Sequence, residues 1–441
     1  MKPRALPEPS TILLYPVVML ALVLLASVSR ENALAEQVLS AGYNEGFYVK
    51  SREEGGMEVR LGGSFQADYR LYAESERADN RFDIRRARLN FKGLLTKWFR
   101  FGMEYEFQGN ETNNLVDAYG EAVFGQHALR FGQFKEPFSL EWQSEDKGIW
   151  FAERSMGYHL GPNRDIGIMF YGSLLKESVF YSAGVFNGNG NDGSTAGSER
   201  DEPEAAARLV ISPFKITSSH MLNSFQVGIS GAFATIEPLN MNLNVKTTGM
   251  EGMSRSIFVL SHNTKFGVLQ DTGNRIRGGL ETAWTFRSLA VQGEYFRLKY
   301  TDLEAAGSPP ADADFYSWYV NSVWWFTGEE PVLADGAMKP VIPKRNFNPD
   351  EGSFGAVGLA LRFNHFEGDE HWINPAAHVS VRDADAISAA LNWVLFPMHR
   401  FILDYTHTAF SDLIRTRVRP DGRVDYVDEE NVVTVRFSID F

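Results

Sequence analysis

The last nine residues set the narrowest limits on what this chain can fold into. Val433, Val435, Phe437, Ile439 and Phe441 are apolar, and Thr434, Arg436, Ser438 and Asp440 stand between them. A period of two over this length describes a strand with one greasy and one polar face. The period returns where Ala87, Leu89 and Phe91 alternate with Arg86, Arg88, Asn90 and Lys92. It returns again where Phe101, Met103, Tyr105 and Phe107 alternate with Gly102, Glu104, Glu106 and Gln108. Strands of soluble sandwiches usually run about five or six residues. Many of these segments are longer, and about nine to eleven tilted residues are what a strand needs to cross a bilayer.

A sheet in hydrocarbon must close, because an open edge would leave backbone donors and acceptors without partners. The alternation predicts an all-β fold, a transmembrane antiparallel β-barrel of sixteen strands. They are placed at 59–72, 81–93, 98–109, 114–124, 128–135, 164–172, 178–186, 204–212, 222–234, 276–286, 289–300, 314–326, 353–363, 386–396, 400–409 and 430–441. Residues 254–262 are a candidate for one more, but an even count is the rule for bacterial single-chain barrels, so they are read as loop. Aromatic residues at strand ends, Tyr69 and Tyr72, Trp98 and Phe99, Trp324, Trp325 and Phe326, and Trp393 with Phe396, are expected to form interfacial girdles. Connections should alternate in length, with short turns at 94–97 and 396–399 and longer links at 187–201 and 327–352. The run Asn-Gly-Asn-Gly-Asn-Asp-Gly at 187–193 is read as flexible loop, with calcium binding as the competing reading.

The N-terminus has the order of a secretory signal. Lys2 and Arg4 form a basic head, 12–26 is an apolar core interrupted by Pro16, and Ala33-Leu34-Ala35 is a small-x-small cleavage site. The competing reading is an uncleaved anchor. Cleavage after Ala35 removes three bases and two acids from a chain of 43 bases and 56 acids, leaving 406 residues at −14. Residues 36–58 then read as a short periplasmic extension, and 59–441 as the barrel. The acidic balance argues against a nucleic-acid partner. The absence of Cys excludes disulfides, thiolate metal sites and thiol nucleophiles.

Several spaced motifs go further. Residues 83–92 read DIRRARLNFK and 132–138 read GQFKEPF. Asp117-Ala118-Tyr119 lies between them, and Glu153-Arg154-Ser155 and Gly161-Pro162-Asn163-Arg164-Asp165-Ile166-Gly167 follow. In this order they resemble the phosphate-selective porin O and P family, most strongly over 81–172. The resemblance implies an outer-membrane location in a Gram-negative cell and a homotrimer of sixteen-stranded barrels. It also implies a third external loop, here about 135–163, folded into each pore. It further implies anion attraction by wall arginines, matched here by Arg85, Arg86 and Arg88, and by constriction lysines. Lys147 lies where one of these could fall, and Lys135 belongs to the GQFKEPF motif.

The residues themselves place Arg86, Arg88 and Lys92 on one polar, lumen-facing side, with Arg85 alternating onto the apolar side. Arg130, Arg362 and Arg436 also stand on polar faces. The competing reading is that such arginines pair with lumen acids and brace the wall. Glu104 and Glu106 share that kind of face, and Glu145 and Asp146 directly precede Lys147, which sets acids against the anion preference. No HExxH, GxSxG or GxxxxGK motif is present. His365, His371 and His407 are the first histidines to examine for a barrel hydrolase, and no metal or organic cofactor is implied. The expected function is passive diffusion of small hydrophilic solutes, with anions such as phosphate as the candidate preference, across a lipid outer membrane. The alternative is a structural or adhesive barrel acting through its external loops.

Overall fold

A computed structural model describes residues 39–44, 46–51, 56–73, 78–108, 114–188, 203–217, 220–238, 241–251, 255–418 and 421–441. The leader and most of the Asn- and Gly-rich run lie outside the described residues. Sixteen antiparallel strands form the wall: β1 Glu58–Ala73, β2 Arg81–Thr96, β3 Phe99–Glu106, β4 Leu115–Phe124, β5 His127–Lys135, β6 Arg164–Leu174, β7 Val179–Phe186 and β8 Glu204–Ile211, then β9 Gln226–Thr235, β10 Asn274–Phe286, β11 Leu289–Ala305, β12 Ser308–Trp325, β13 Ala356–Glu367, β14 Asp383–Phe396, β15 His399–Val418 and β16 Val424–Asp440. Each pairs with its sequence neighbour. The sheet closes where β16 pairs β1, from Asn431 opposite Ala73 to Asp440 opposite Ser64. Phe441 continues the closure by exchanging backbone bonds of 2.9 and 2.7 Å with Gly63. No open edge is left for lipid to meet.

The pleat sorts the side chains as the alternation requires. Along β16, Val432, Thr434, Arg436 and Ser438 are buried inside, while Val435 is among the exposed apolar residues. Leu361, Ile387 and Trp324 repeat that outward exposure on other strands. The girdle expectation fails at Tyr72 and Trp325: Tyr72 faces inward, buried, with its hydroxyl donating to the Gly249 carbonyl, and Trp325 is buried with Trp150 and Met338. Among the described residues no helix is long and apolar enough to cross a membrane, which says nothing of crossing by strands.

Short turns at 97–98, 125–126, 287–288 and 397–398 mark one end of the barrel as periplasmic. The strict alternation of connection lengths does not hold at that end. Residues 326–355 join β12 to β13 there, and they form a long strap rather than a turn. Its hairpin, Leu333–Ala334 with Ala337–Met338, buries Met338 against Trp150, Phe151 and Trp325. Near the same end Leu39–Tyr43 and Phe47–Ser51 form a hairpin whose second strand extends the sheet beside the start of β1.

Of the further candidate at 254–262, residues 255–262 are not a wall strand, and residue 254 lies outside the described residues. Phe258–Ser261 pairs with Asn242–Val245, and this hairpin of the β9–β10 loop turns into the barrel. Val245, Ile257 and Phe258 pack there with Phe138, Met156 and Leu160 of the β5–β6 loop and with Phe296, Phe315 and Phe366 of the wall. One side of the lumen is thus filled by an apolar plug.

Candidate functional site

Polar chemistry gathers on the other side, where the β5–β6 loop crosses the lumen. The loop begins with the short helix Leu140–Gln143, N-capped by Ser139, whose Oγ accepts from the Trp142 amide at 3.1 Å. Glu294 on β11 accepts from the Leu140 and Glu141 amides at 2.6 and 2.9 Å, and from the Ser139 hydroxyl at 3.1 Å. After the helix the backbone passes through a 3-10 turn at Asp146–Gly148, and the far wall takes its carbonyls. Arg400 donates to Lys147 O and Ile149 O at 3.0 and 2.8 Å, Asn392 to Trp150 O at 2.8 Å and Arg362 to Glu153 O at 2.9 Å. Arg436 donates to Ala152 O. A loop inside a barrel must find partners for its backbone, and these residues supply them.

Glu153 ties the loop to the closing strands. It pairs with Arg70 at 2.7 Å, Arg436 at 2.6 Å and Arg85 at 2.8 Å, and Asp68 joins the same network through Arg70 and Arg436. Burial alone would push the Glu153 carboxyl up, but Arg85, Arg436 and Arg70 outweigh it and hold it well below the usual range.

Arg85 therefore faces the lumen, contrary to the alternation. The reason is a β-bulge: Gln66 of β1 stands opposite Arg86, the next residue Ala67 stands opposite Ile84, and Arg85 is the extra residue between. Phe82 and Ile84 remain outside, both exposed, while Arg81 and Asp83 join Arg85, Arg86 and Arg88 along one cavity.

That cavity has a volume of about 390 Å³ and lies between β2–β5 and the crossing loop. Seven cations line it, Arg81, Arg85, Arg86, Arg88, Lys135, Arg154 and Arg164, against the carboxylates Asp83, Glu106, Asp146 and Glu251. Arg88 bonds Glu106 at 2.8 Å and Glu104 at 3.2 Å, and Arg164 bonds Asp117 at 2.9 Å. Among the described residues Lys135 donates to two carbonyls, Trp142 O at 2.6 Å and Ser144 O at 3.2 Å. Asp146 sits among three arginines. Burial would raise its pKa, yet Arg86, Arg154 and Arg88 together hold it well below the usual carboxylate range.

The other sequence-derived candidates fall elsewhere. Lys92 is exposed, opposite Arg60 and Gly102, and lines no part of the cavity. Arg130 faces a separate cavity, bound twice to Glu121 at 2.9 and 2.7 Å. Lys147 lies beneath the loop in a small cavity with Arg400 and Lys339. Arg362 is fully buried over the Phe151 ring, its guanidinium 4.2 Å from the centroid, and Arg436 is buried in the Glu153 network. For Arg130, Arg362 and Arg436 the bracing reading describes what their guanidinium groups do. Periodicity missed Arg154 and Arg164, which belong to the loop or its edge. Their one signal was membership of the Glu153-Arg154-Ser155 and Asn163-Arg164-Asp165 motifs.

Of the three histidines, His365 pairs with Asp385 at 2.8 Å, His407 with Asn431 at 3.0 Å, and His371 stacks on Phe266. Each is engaged by a partner other than a serine. His365, Glu367 and Asp383 bring ligand atoms within 4.8 Å of one another, and Glu367 also accepts from the Tyr316 hydroxyl.

Residues 59–441 match the profile of the family described as phosphate-selective porin O and P. Among solved structures, the fold is similar to an anion-selective porin from Comamonas acidovorans, with a TM-score of 0.53 at 11% identity, covering 87% of this chain and 100% of that one. The outer-membrane channel DcaP of Acinetobacter baumannii gives a TM-score of 0.53 at 10% identity, covering 91% and 100%. OmpT of Vibrio cholerae gives 0.51 at 9%, covering 87% and 98%. No curated protein matches the chain.

Proposed function

The chain belongs to the phosphate-selective porin O and P family and is an outer-membrane porin, and from that premise we propose that its pore favours small anions, phosphate among them. The observation that carries the proposal is the 390 Å³ cavity, where seven cations face four carboxylates beside the crossing loop. Selectivity follows the charge along the path of the ion rather than the charge of the whole chain. An overall charge of −13 is therefore compatible with an anion path. Arginine supplies that field at any working pH and offers paired donors that match an oxyanion.

Transport here is passive. A solute enters the cavity, exchanges part of its hydration for guanidinium donors, and leaves when thermal motion and the next ion release it. Binding that is too tight would slow flux, and the resident carboxylates moderate it. The Lys135 amine also faces the cavity, held by the Trp142 and Ser144 carbonyls. Neighbouring cations Arg154 and Arg164 face the same space from the loop side. The assembly we infer is a homotrimer, on the family resemblance.

The test is reversal potential in a planar bilayer across a potassium chloride gradient, with the folded barrel verified by heat-modifiable gel mobility. The expected sign is that of chloride, moving toward potassium in an Arg88→Gln protein, with phosphate reducing chloride current. A potassium-selective parent protein would end the anion reading. The alternative, a structural or adhesive barrel, draws on the plug formed by the β9–β10 loop and on the strap beneath. It predicts no stable openings from verified folded protein.

A further inference from the structure

One carboxylate occupies the position that an oxyanion would take. Asp146 Oδ2 lies 3.1 Å from Arg86 Nε and 3.2 Å from an Arg88 terminal nitrogen, and its Oδ1 accepts from Arg154 at 2.8 Å. Two of these guanidinium groups come from the wall and the third from the loop itself. Guanidinium groups converging on a single pair of oxygens, Arg88 and Arg154 as hydrogen-bond donors and Arg86 as an ion pair, are the recognition geometry for phosphate or carboxylate. Arg154 is fixed independently of Asp146, through donations to Glu141 O at 3.2 Å and Ser144 O at 3.0 Å. The donor set would thus remain when the carboxylate swings away.

The backbone carrying Asp146 is also the floor of the cavity. It forms the single 3-10 turn Asp146–Gly148, and Gly148 lies so close to the strap that a Cβ there would stand 2.7 Å from Met338 O. Beneath the turn is a second cavity, to which Lys147, Lys339 and Arg400 contribute cations and Asp440 a carboxylate. Arg86 links the two levels, since it donates to Gln66 at 2.7 Å and Gln66 lines the lower cavity. Two cation-lined spaces are therefore stacked with Asp146 at their partition.

We propose that Asp146 is the selectivity gate of the channel, a tethered counter-anion that a permeating oxyanion must displace from Arg86, Arg88 and Arg154 before passing toward Lys147 and Arg400. This rests on the anion-channel reading and deepens it. The tether keeps the arginines neutralised when no solute is present, and it competes with the solute so that residence stays short. Small cations gain nothing from displacing it.

The experiment compares the parent protein with Asp146→Asn in planar bilayers, using potassium chloride as current carrier and inorganic phosphate as blocker. Removing the resident charge should lower the phosphate concentration that half-blocks chloride current by about fivefold or more, and shift the reversal potential further toward chloride. Should Asp146→Asn fail the heat-modifiability check, Asp146→Ser removes the same charge, leaves all three arginines in place and carries the same expectation. Unchanged or weaker phosphate block in a folded variant, with an anion-selective parent, would overturn the gate and leave the anion reading standing. A potassium-selective parent would overturn both.

Discussion

The acids and arginines around the crossing loop set its response to pH. Asp146 has its pKa lowered by folding from an ordinary 3.8, because Arg86, Arg154 and Arg88 overcome the effect of burial. A group with a depressed folded pKa contributes stability that is complete above its unfolded value and is lost as pH falls through the folded one. The loop should therefore keep its position from neutrality down to about pH 4 and loosen only below that. Single-channel conductance stepped from pH 7 to 3 checks this, and a transition centred above pH 5 would contradict the placement of Asp146. Glu251, held to about 2 with His159 beside it at 3.1 Å, acts in the same acid window between two loops. At this scale the sequence was partly legible. Arg86 and Arg88 could be read from alternation alone, whereas Arg85 could not, because a bulge leaves no periodic trace. Arg154 and Asp146 lie in a loop, where no period tells inside from outside.

The crossing loop and the strap act as two units that meet. Glu153 is the loop's anchor, shared by Arg70, Arg85 and Arg436, and removing one partner of a buried ion network leaves uncompensated charge. Glu153→Gln should cost about 3–5 kcal/mol of loop docking. It would be seen as added noise in the open channel and as faster proteolysis within 136–163. The strap touches the loop where the Met338 amide donates to Ser144 Oγ at 3.1 Å, and Arg208 reaches the Gly336 carbonyl on the same hairpin. Replacing 330–345 by a short Gly-Ser turn should raise conductance without altering folded mobility. An unchanged conductance would place the strap outside the ion path. Neither the strap nor the inward hairpin at 242–261 was legible as an occupant of the lumen. Their apolar residues bury against other loops, so the two-residue period that identifies wall strands does not apply to them.

Away from the apolar clusters that face the plug and the strap, the wall turns apolar residues outward and polar ones inward, and that rule of alternation made the sixteen strands readable. Strand ends were read short where β11, β12 and β15 continue, as at Ser308-Pro309-Pro310-Ala311-Asp312, since the regular run of large apolar residues on the outward face breaks off there. The rule also predicts which changes the barrel tolerates least. Val435 lies on the lipid face between Tyr69 and Leu403. Val435→Arg should destabilise the barrel by about 2–4 kcal/mol if the site is at mid-membrane, measured by folding into vesicles under urea titration. Thr434→Val, one residue away and turned inward, should leave that value nearly unchanged.

The bulge at Arg85 bears on how such a pore changes its charge over generations. In a regular strand, losing one residue turns every later side chain to the opposite face, exchanging lipid for water along the whole segment. Arg85 is the surplus residue of its bulge, so deleting it would restore an ordinary ladder with Phe82 and Ile84 still outside and Arg86 and Arg88 still inside. A single-codon deletion or insertion there edits the number of positive charges facing the solute and leaves the rest of the wall in place.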